Sequence, residues 1–171
     1  MIYEPREDSF LIMKHIKDYS KGKILDVGTG SGILAEEASK YGDVLAVDID
    51  DEAISYVKKK GIKTIKSDLF ENVSGKFDLI VFNPPYLPEE ENEDLESRKA
   101  TTGGERGYEI IKRFFSEASK YLNKNGKVLI VFSSLTGDVL EIIKKHGFKF
   151  KILEKEKLFF EEVYVCLCWI K

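Results

Sequence analysis

Short apolar runs alternate along this chain with segments of helical periodicity, and this alternation limits the folds it can adopt. A repeated strand–helix–strand unit requires a parallel sheet whose right-handed crossovers place helices on both faces. We therefore predict one α/β domain of the doubly wound kind over residues 1–171. The predicted strands are 23–27, 44–47, 62–66, 77–82 and 127–132, and the predicted helices are 5–19, 33–41, 51–60, 108–122 and 136–146.

Two further strands are predicted near the end of the chain, at 148–153 and 159–169, with a charged link at 154–157 between them. No helical segment separates these strands, so we expect them to pair antiparallel. Asn125–Gly126 is interpreted as a turn that precedes the fifth strand.

Composition excludes several classes of protein. Of the 171 residues, 43% are hydrophobic, which is enough to bury a core. No apolar run approaches the ~20 residues of a membrane span, so no membrane association is expected. A net charge of −3 argues against a protein that coats nucleic acid. Two cysteines cannot form a disulfide framework, which predicts a reducing, cytoplasmic location.

The charged residues give one further indication. They make up 33% of the chain, glutamine is absent, and lysine far outnumbers arginine. Enrichment in lysine and glutamate with few thermolabile side chains predicts adaptation to heat, and a compositional bias of the lineage is the alternative explanation.

Four polar signals follow predicted strands at their carboxyl ends, where ligands bind in doubly wound sheets. Because the carboxyl ends of parallel strands share one edge, we expect these residues to form a single site. They are the Gly28–Gly32 loop after the first strand, Asp48 after the second, Asp68 after the third and Asn83–Tyr86 after the fourth.

The glycine loop is followed directly by a predicted helix. Glycines let a ligand approach the backbone, and the helix N-terminus offers free N–H groups. A tight turn that needs positive φ is the alternative explanation. Asp48 lies 20 residues after Gly28, the spacing at which an acid reaches the hydroxyls of a ribose. Capping of the following helix is the alternative role for Asp48.

A dinucleotide site fits the loop less well. Its fingerprint is G-x-G-x-x-G, whereas the third glycine here comes one residue early, at Gly32. Asp26 also stands where dinucleotide folds usually carry an apolar residue. Both departures favour a single adenosyl group over a pyrophosphate and leave an NAD-linked oxidoreductase as an alternative.

The segment from Asp26 to Gly32, together with Asp48, resembles the cofactor site of S-adenosylmethionine-dependent methyltransferases. Asn83-Pro84-Pro85-Tyr86 resembles the N-P-P-Y signature of enzymes that methylate planar or amide nitrogens. Tyr3–Ser9 and Gly103–Tyr108 resemble two further motifs of the HemK-type protein-glutamine methyltransferases. The short chain is similar to the archaeal and eukaryotic branch of that family.

The resemblance implies a Rossmann-like fold: a mostly parallel seven-stranded sheet with an antiparallel closing strand and helices on both faces. It also implies S-adenosyl-L-methionine as cofactor. Ser9 would help to hold its methionine carboxylate, Asp48 would accept from its ribose hydroxyls, and Asp68 would accept from its adenine amino group. Capping of a short helix by Ser67 and Asp68 is the alternative. The implied cofactor-binding residues are Ser9, Asp26, Gly28, Thr29, Gly30, Gly32, Asp48, Ile49, Asp68, Leu69 and Asn83.

Asn83, Pro84 and Tyr86 are the candidate catalytic residues, and Pro85 completes the candidate substrate site. An amide nitrogen is a poor nucleophile because its lone pair is delocalised, so it needs acceptors for its hydrogens. The side-chain oxygen of Asn83 and the carbonyl of Pro84 are such acceptors, and the two prolines stiffen the backbone that presents them. Tyr86 can pack flat against a planar group. A stiff turn after a strand is the alternative interpretation.

No metal site is expected. Cys166 and Cys168 lie two residues apart on a predicted strand, which favours core packing over metal binding. His15 and His146 have no neighbouring cluster of ligating side chains in the sequence.

The resemblance implies that the substrate is a peptide chain release factor, methylated on the glutamine of its Gly-Gly-Gln loop. The acidic run within residues 89–96 fits a basic protein surface better than phosphates, so a nucleic-acid partner is not expected; a solvated loop is the plainer explanation. Adenine amino groups and protein lysines remain alternative acceptors. A methyltransferase-like binding module without activity is the alternative of another class.

The resemblance also suggests a partner at the third strand, which we expect at one edge of the sheet. A small zinc-binding activator protein would add a strand there and form a heterodimer. The alternative is that Lys63 and Lys66 on this strand simply discourage aggregation.

Overall fold

A computed structural model describes residues 2, 4–85 and 107–171. Its seven strands form one sheet in the order β3-β2-β1-β4-β5-β7-β6. The first five strands run parallel, and β7 runs antiparallel to both β5 and β6. The strands are β1 (Lys23–Val27), β2 (Asp43–Asp48), β3 (Lys63–Lys66), β4 (Phe77–Phe82), β5 (Leu122–Ser133), β6 (Phe148–Lys157) and β7 (Glu162–Ile170).

Helices cover both faces of the sheet, which confirms the predicted α/β class. Apolar side chains of α1, α2 and α3 pack on one face, and those of α4 and α5 pack on the other. None of the helices in the described ranges is long and apolar enough to cross a membrane. The helices are α1 (Glu7–Tyr19), α2 (Ile33–Ser39), α3 (Asp51–Lys59), α4 (Glu109–Ala118) and α5 (Val139–Lys145).

The last hairpin differs from its prediction. Residues 154–157, expected to link two strands, extend β6, and the connection to β7 is Leu158–Glu161. After a register shift between Ile152 and Glu154, the ladder continues to the pair Lys157↔Glu162. The prediction was wrong because an edge strand needs backbone pairing but no continuous apolar pattern.

The strand β5 is also longer than predicted. Asn125–Gly126, expected as a turn before it, lies within β5 at an irregularity where the register with β4 shifts. Asn125 has a φ of 65°, so the local turn chemistry was interpreted correctly although the strand continues through it.

Two helices are shorter than predicted. The helix expected at 136–146 begins at Val139, because Ser134–Thr136 form a separate 3₁₀ turn that a capping box on Ser133 stabilises. The helix expected at 108–122 ends at Ala118 and continues only as a 3₁₀ turn.

An aromatic cluster supports the carboxyl end of β4. Phe82, the last residue of this strand, stacks on Phe114 of α4 with ring centroids 4.4 Å apart. Phe114 also contacts Phe70 at 5.3 Å and Phe115 at 5.1 Å, and all four side chains are buried. The residue that follows Phe82 is Asn83, so this cluster fixes the backbone from which the candidate catalytic motif starts.

Gly32 permits a close approach between two helices. It immediately precedes α2 with a φ of 79°, in the left-handed region. A Cβ at this position would lie 2.8 Å from Cγ2 of Val57, a fully buried side chain of α3. Gly61 has a similar φ of +82°, but a Cβ there would meet nothing within 4 Å.

We expect Gly32→Ala to destabilise the protein more than Gly61→Ala. Both variants force an alanine into the left-handed region, at ~1–2 kcal/mol. Only Gly32→Ala adds a collision in a packed core, which costs a further ~1–3 kcal/mol. Urea unfolding of the two variants measures the difference, and equal losses would contradict the close approach of α2 to α3.

Candidate active site

Asp26 lies near the carboxyl end of β1 and is buried, with 1% of its surface exposed. Thr29 donates a hydrogen bond from Oγ1 to Asp26 Oδ2 at 2.7 Å. The other carboxylate oxygen, Oδ1, is also buried and has no hydrogen-bond partner among the described residues. A buried acceptor without a partner is costly, so this atom indicates a ligand that donates to it.

Burial raises the pKa of Asp26 from 3.8 to about 7. The hydrogen bond from Thr29 opposes this shift, and the nearby charge of Asp48 adds to it; the backbone N–H of Ala35, too far or too poorly aligned for a regular hydrogen bond, also opposes it. A cation placed against Oδ1 would favour the ionised form and lower the pKa again. The residue is therefore suited to a ligand group that is positively charged.

Two hydrogen bonds tie the glycine loop to the end of β2, and a third orients Asp48 itself. Thr29 donates its N–H to the carbonyl of Val47 at 3.0 Å, and Gly30 donates its N–H to Asp48 Oδ2 at 2.9 Å. The N–H of Asp50 donates to Asp48 Oδ1 at 2.9 Å. Gly28 and Gly30 have φ values of 68° and 54°, so the loop needs glycine at both positions.

Asp48 does not cap the helix that follows it. The cap of α3 is Asp50, whose carboxylate accepts from the N–H of Glu52 at 3.0 Å. Burial raises the pKa of Asp48, while the hydrogen bonds from Asp50 and Gly30 lower it. Each carboxylate oxygen can accept more than one hydrogen bond, so Asp48 retains capacity for a further donor.

Apolar side chains lie beside the two acidic residues after β2 and β3. Ile49 follows Asp48 and is 61% exposed, an unusual exposure for a large aliphatic side chain at a candidate site. Leu69 follows Asp68, is buried, and has a φ of 51°. Such a conformation costs ~1–3 kcal/mol in a residue other than glycine and is typical of functional sites.

Asp68 is paired with a residue that sequence reasoning missed. Its Oδ2 accepts from Nη2 of Arg113, on α4, at 3.0 Å. The alternative of helix capping by Ser67 and Asp68 is wrong, because residues 69–72 form turns and no helix; within these turns Ser67 Oγ accepts from the N–H of Asn72 at 2.9 Å. Nothing in the local pattern of α4 could have indicated Arg113, which is 45 residues away in the chain.

Asn83 is held by the start of α1. Its Nδ2 donates to Ser9 Oγ at 3.2 Å, and the Ser9 hydroxyl lies 3.5 Å from Asp8 Oδ1, which also accepts the Ser9 N–H at 2.8 Å. With the amide NH₂ directed towards Ser9, the side-chain oxygen of Asn83 is left for another partner. The structure thus brings Ser9 and Asn83 together, while the role of Ser9 towards a cofactor carboxylate stays a prediction.

The rest of the candidate motif is partly outside the described residues. Pro84 is buried and Pro85 half-buried directly after Asn83. Tyr86 lies outside the described residues, as do Tyr3, the acidic run at 89–96 and the residues from Gly103 to Arg106.

The candidate metal ligands are otherwise engaged. Cys166 and Cys168 are buried in the core of the sheet, with their sulfurs 3.9 Å apart. His15 contacts Glu154 at 2.7 Å, and His146 contacts the carbonyl of Ile142 at 2.8 Å. In the described part of the chain, no three histidine, cysteine or acidic side chains form a group that could hold a metal ion.

Comparison with known proteins identifies the family of the chain. The chain matches the family model for the methyltransferase small domain over residues 7–160. It is 41% identical to a protein of Methanocaldococcus jannaschii provisionally named as a protein N5-glutamine methyltransferase, over 98% of this chain and 91% of that protein. It is 33% identical to the release factor glutamine methyltransferase of Streptococcus pneumoniae, over 72% of this chain but only 50% of that protein.

Solved structures give the same assignment. A chain of the E. cuniculi Mtq2–Trm112 complex, described as responsible for methylation of the translation termination factor eRF1, superposes with a TM-score of 0.83. The two chains are 25% identical, and the match covers 99% of each. A ribosomal protein L11 methylase from Lactobacillus delbrueckii subsp. bulgaricus gives a TM-score of 0.72 at 26% identity, over 97% of this chain and 80% of that one.

These relatives confirm the resemblance to protein-glutamine methyltransferases and disfavour the oxidoreductase alternative. Since the family model covers most of its length, the chain belongs to the methyltransferase small domain family.

Proposed function

We propose that this chain uses S-adenosyl-L-methionine to methylate the side-chain amide of the glutamine in the Gly-Gly-Gln loop of a peptide chain release factor. The family supports methyl transfer, and the names of the relatives support glutamine as acceptor. The observation that carries the proposal is Asn83, whose NH₂ is held by Ser9 and whose side-chain oxygen has no partner among the described residues. A release factor is a cytoplasmic protein, in agreement with the free, buried cysteines of this chain.

The residues at the carboxyl ends of β1 and β2 suit this cofactor. Asp26 has a buried oxygen that no described residue contacts by a hydrogen bond, which suits the positively charged amino group of the methionine part. Asp48 has remaining acceptor capacity for two ribose hydroxyls, and the exposed side chain of Ile49 suits an apolar contact with adenine. When bound, S-adenosyl-L-methionine supplies a methyl group activated on a sulfonium sulfur.

Asn83 and Pro84 would position the acceptor nitrogen. A primary amide presents two N–H hydrogens, and the Asn83 side-chain oxygen and the Pro84 carbonyl provide one acceptor for each. Holding both hydrogens fixes the plane of the amide and directs its nitrogen to one side. Orientation of this kind contributes several kcal/mol, with ~7–11 kcal/mol as the ceiling for well-placed reactants. A lysine has to lose a proton before its nitrogen can attack, and its tetrahedral amine lacks the plane that two fixed acceptors define in an amide.

The edge of β3 fits a small zinc-binding activator protein as partner. Ser67 donates its N–H to the carbonyl of Asp48 at 2.9 Å, which continues the ladder with β2. Alternate residues of a parallel strand face the same neighbour, so the N–H groups of Thr64 and Lys66 point away from β2. These two N–H groups face the open side of β3, where an added strand would pair with them. The similar E. cuniculi chain was solved as a two-protein complex, which supports such a partner.

We expect Asn83→Ala to lower turnover by a factor of ~10² or more, comparable to the loss of one preorganised hydrogen-bonding group in other enzymes. Its affinity for S-adenosylhomocysteine should change little, because the side chain orients the acceptor. Transfer of a labelled methyl group to a release factor measures the first effect and calorimetry the second. Asn123→Ala is the control, since Asn123 contacts Asp78 at the amino ends of β5 and β4, on the side of the sheet opposite to Asn83. Unchanged turnover would contradict the role of Asn83, and a methyl group found on lysine or adenine would contradict the substrate.

We expect the affinity for S-adenosylhomocysteine to rise with pH and to level off above about 7, the pKa of Asp26. Below this pH Asp26 is protonated, and it must lose its proton to receive a cationic amino group. Binding then releases a proton, and affinity changes by at most ~10-fold per pH unit. Calorimetry in two buffers of different ionisation enthalpy measures the released proton. Asp26→Asn should bind more weakly and lose this pH dependence; a flat profile for the wild-type chain would argue against Asp26 as the contact.

We expect Thr64→Pro to prevent binding of the activator protein without disturbing the fold. Proline removes the outward N–H that an added strand would use, and it is tolerated on an edge strand. Size-exclusion chromatography with the partner and a thermal melt of the variant alone are the two measurements. A stable heterodimer with the proline variant would contradict binding at the β3 edge.

A further inference from the structure

The tip of the β6–β7 hairpin presents two phenylalanines to solvent. Phe159 is 90% exposed and Phe160 is 82% exposed, more than any other large hydrophobic residue in the described part of the chain. Their rings contact each other edge to face, with centroids 4.4 Å apart. Large apolar side chains grouped in water are unfavourable and mark interaction surfaces.

The hairpin is braced at its base. Leu158 donates its N–H to the carbonyl of Glu161 at 2.8 Å and packs against the core beneath α1. The Ser133 hydroxyl donates to the carboxylate of Glu161, and the N–H of Glu162 donates to Ser134 Oγ at 3.0 Å. These contacts fix the backbone of the short turn. Ordering the turn against a partner therefore costs little further conformational entropy.

The hairpin lies on the side of the sheet where the parallel strands have their carboxyl ends, which is also where Asn83 lies. Because β7 is antiparallel to β5 and β6, the end of β6 and the start of β7 lie where β4 and β5 end. Ser133 on β5 pairs with Val163 on β7, and Phe82 on β4 pairs with Ile130 on β5. Two steps of ~4.8 Å between strands, with three residues of ~3.3 Å each along β5, place the base of the hairpin roughly 14 Å from the end of β4.

Two other apolar side chains that follow elements of the candidate site are also exposed. Phe10 follows Ser9, the residue that holds Asn83, and is 47% exposed. Leu135 lies two residues after the end of β5 and is also 47% exposed. Exposed apolar side chains therefore follow both α1 residue Ser9 and the end of β5, on the side of the sheet that a substrate of Asn83 has to cover.

We propose that Phe159 and Phe160 dock the protein substrate, by packing into an apolar depression on the domain that carries the methylated glutamine. This inference rests on the proposed function. A short peptide at Asn83 would not reach the tip, whereas a folded protein covers ~800 Å² of its partner and would. Buried aromatic side chains contribute a large share of such interfaces. The base of the hairpin carries one lysine, Lys157, and two acidic residues, Glu161 and Glu162. This balance of charge does not attract a phosphate backbone.

The test compares the wild-type chain with the double variant Phe159→Ser/Phe160→Ser. Ile170→Ser is the matched control, because Ile170 is a 44% exposed apolar residue at the opposite end of β7. Three quantities are measured: the Kd for a full-length release factor in the presence of S-adenosylhomocysteine, the KM and kcat for its methylation, and the affinity for S-adenosylhomocysteine alone. We expect the double variant to raise Kd and KM about tenfold or more, the effect of ~1.4 kcal/mol. The kcat at saturating substrate and the affinity for S-adenosylhomocysteine should match those of the wild type and the control.

Unchanged Kd and KM in the double variant would overturn the docking role while leaving the proposed function intact. A wild-type chain that neither binds nor methylates a release factor would overturn the proposed function and, with it, this inference. The wild-type chain could form a dimer or an activator complex that the double variant does not form. If KM is unchanged at the same time, the two rings belong to that interface and the docking role is overturned. Equal losses in the double variant and in Ile170→Ser would show a general effect on the fold and also contradict the proposal.

Discussion

The half-satisfied carboxylate of Asp26 is the constraint around which the candidate site is organised. One of its oxygens is paired with Thr29, and the other is buried without a partner among the described residues. Burial of such a group costs free energy, and the pKa of about 7 shows that the fold favours the neutral acid. A structural role would be met at lower cost by an apolar residue, as in dinucleotide folds at this position. The cost therefore indicates a ligand that supplies the missing charge.

The other candidate residues after β1 and β2 depend on the same glycine loop that pairs with Asp26. Thr29 can reach Asp26 because its own N–H is fixed on the carbonyl of Val47, which ties the loop after β1 to β2. Gly30 then directs its N–H to Asp48, so the second acidic residue is oriented by the same loop. Gly32 brings α2 close to α3, because no side chain separates it from Val57. In this chain, the glycines therefore shape the loop and its packing, while the two carboxylates provide the chemistry.

Local pattern predicted the order of the elements and the positions of most candidate residues, because both depend on short-range signals. The strand from Phe77 to Phe82 is uniformly apolar, and the acids and the asparagine come directly after predicted strands. The end of β6 was missed because an edge strand pairs through its backbone and carries no apolar period. The contacts of Ser9 with Asn83 and of Arg113 with Asp68 join residues 74 and 45 positions apart, and no local signal encodes them. Long-range side-chain pairing of this kind requires the fold.

The contact between Ser9 and Asn83 bears directly on the choice of acceptor. An asparagine side chain can present either its oxygen or its NH₂, and a site that must accept hydrogens needs the oxygen. The carboxylate of Asp8 accepts from Ser9, which leaves a lone pair of the Ser9 hydroxyl for the NH₂ of Asn83. In this arrangement Ser9 takes up the NH₂ of Asn83, and the Asn83 oxygen has no partner among the described residues. Because Ser9 belongs to α1, a change at the start of that helix alters the orientation of a residue at the end of β4 without touching the substrate itself.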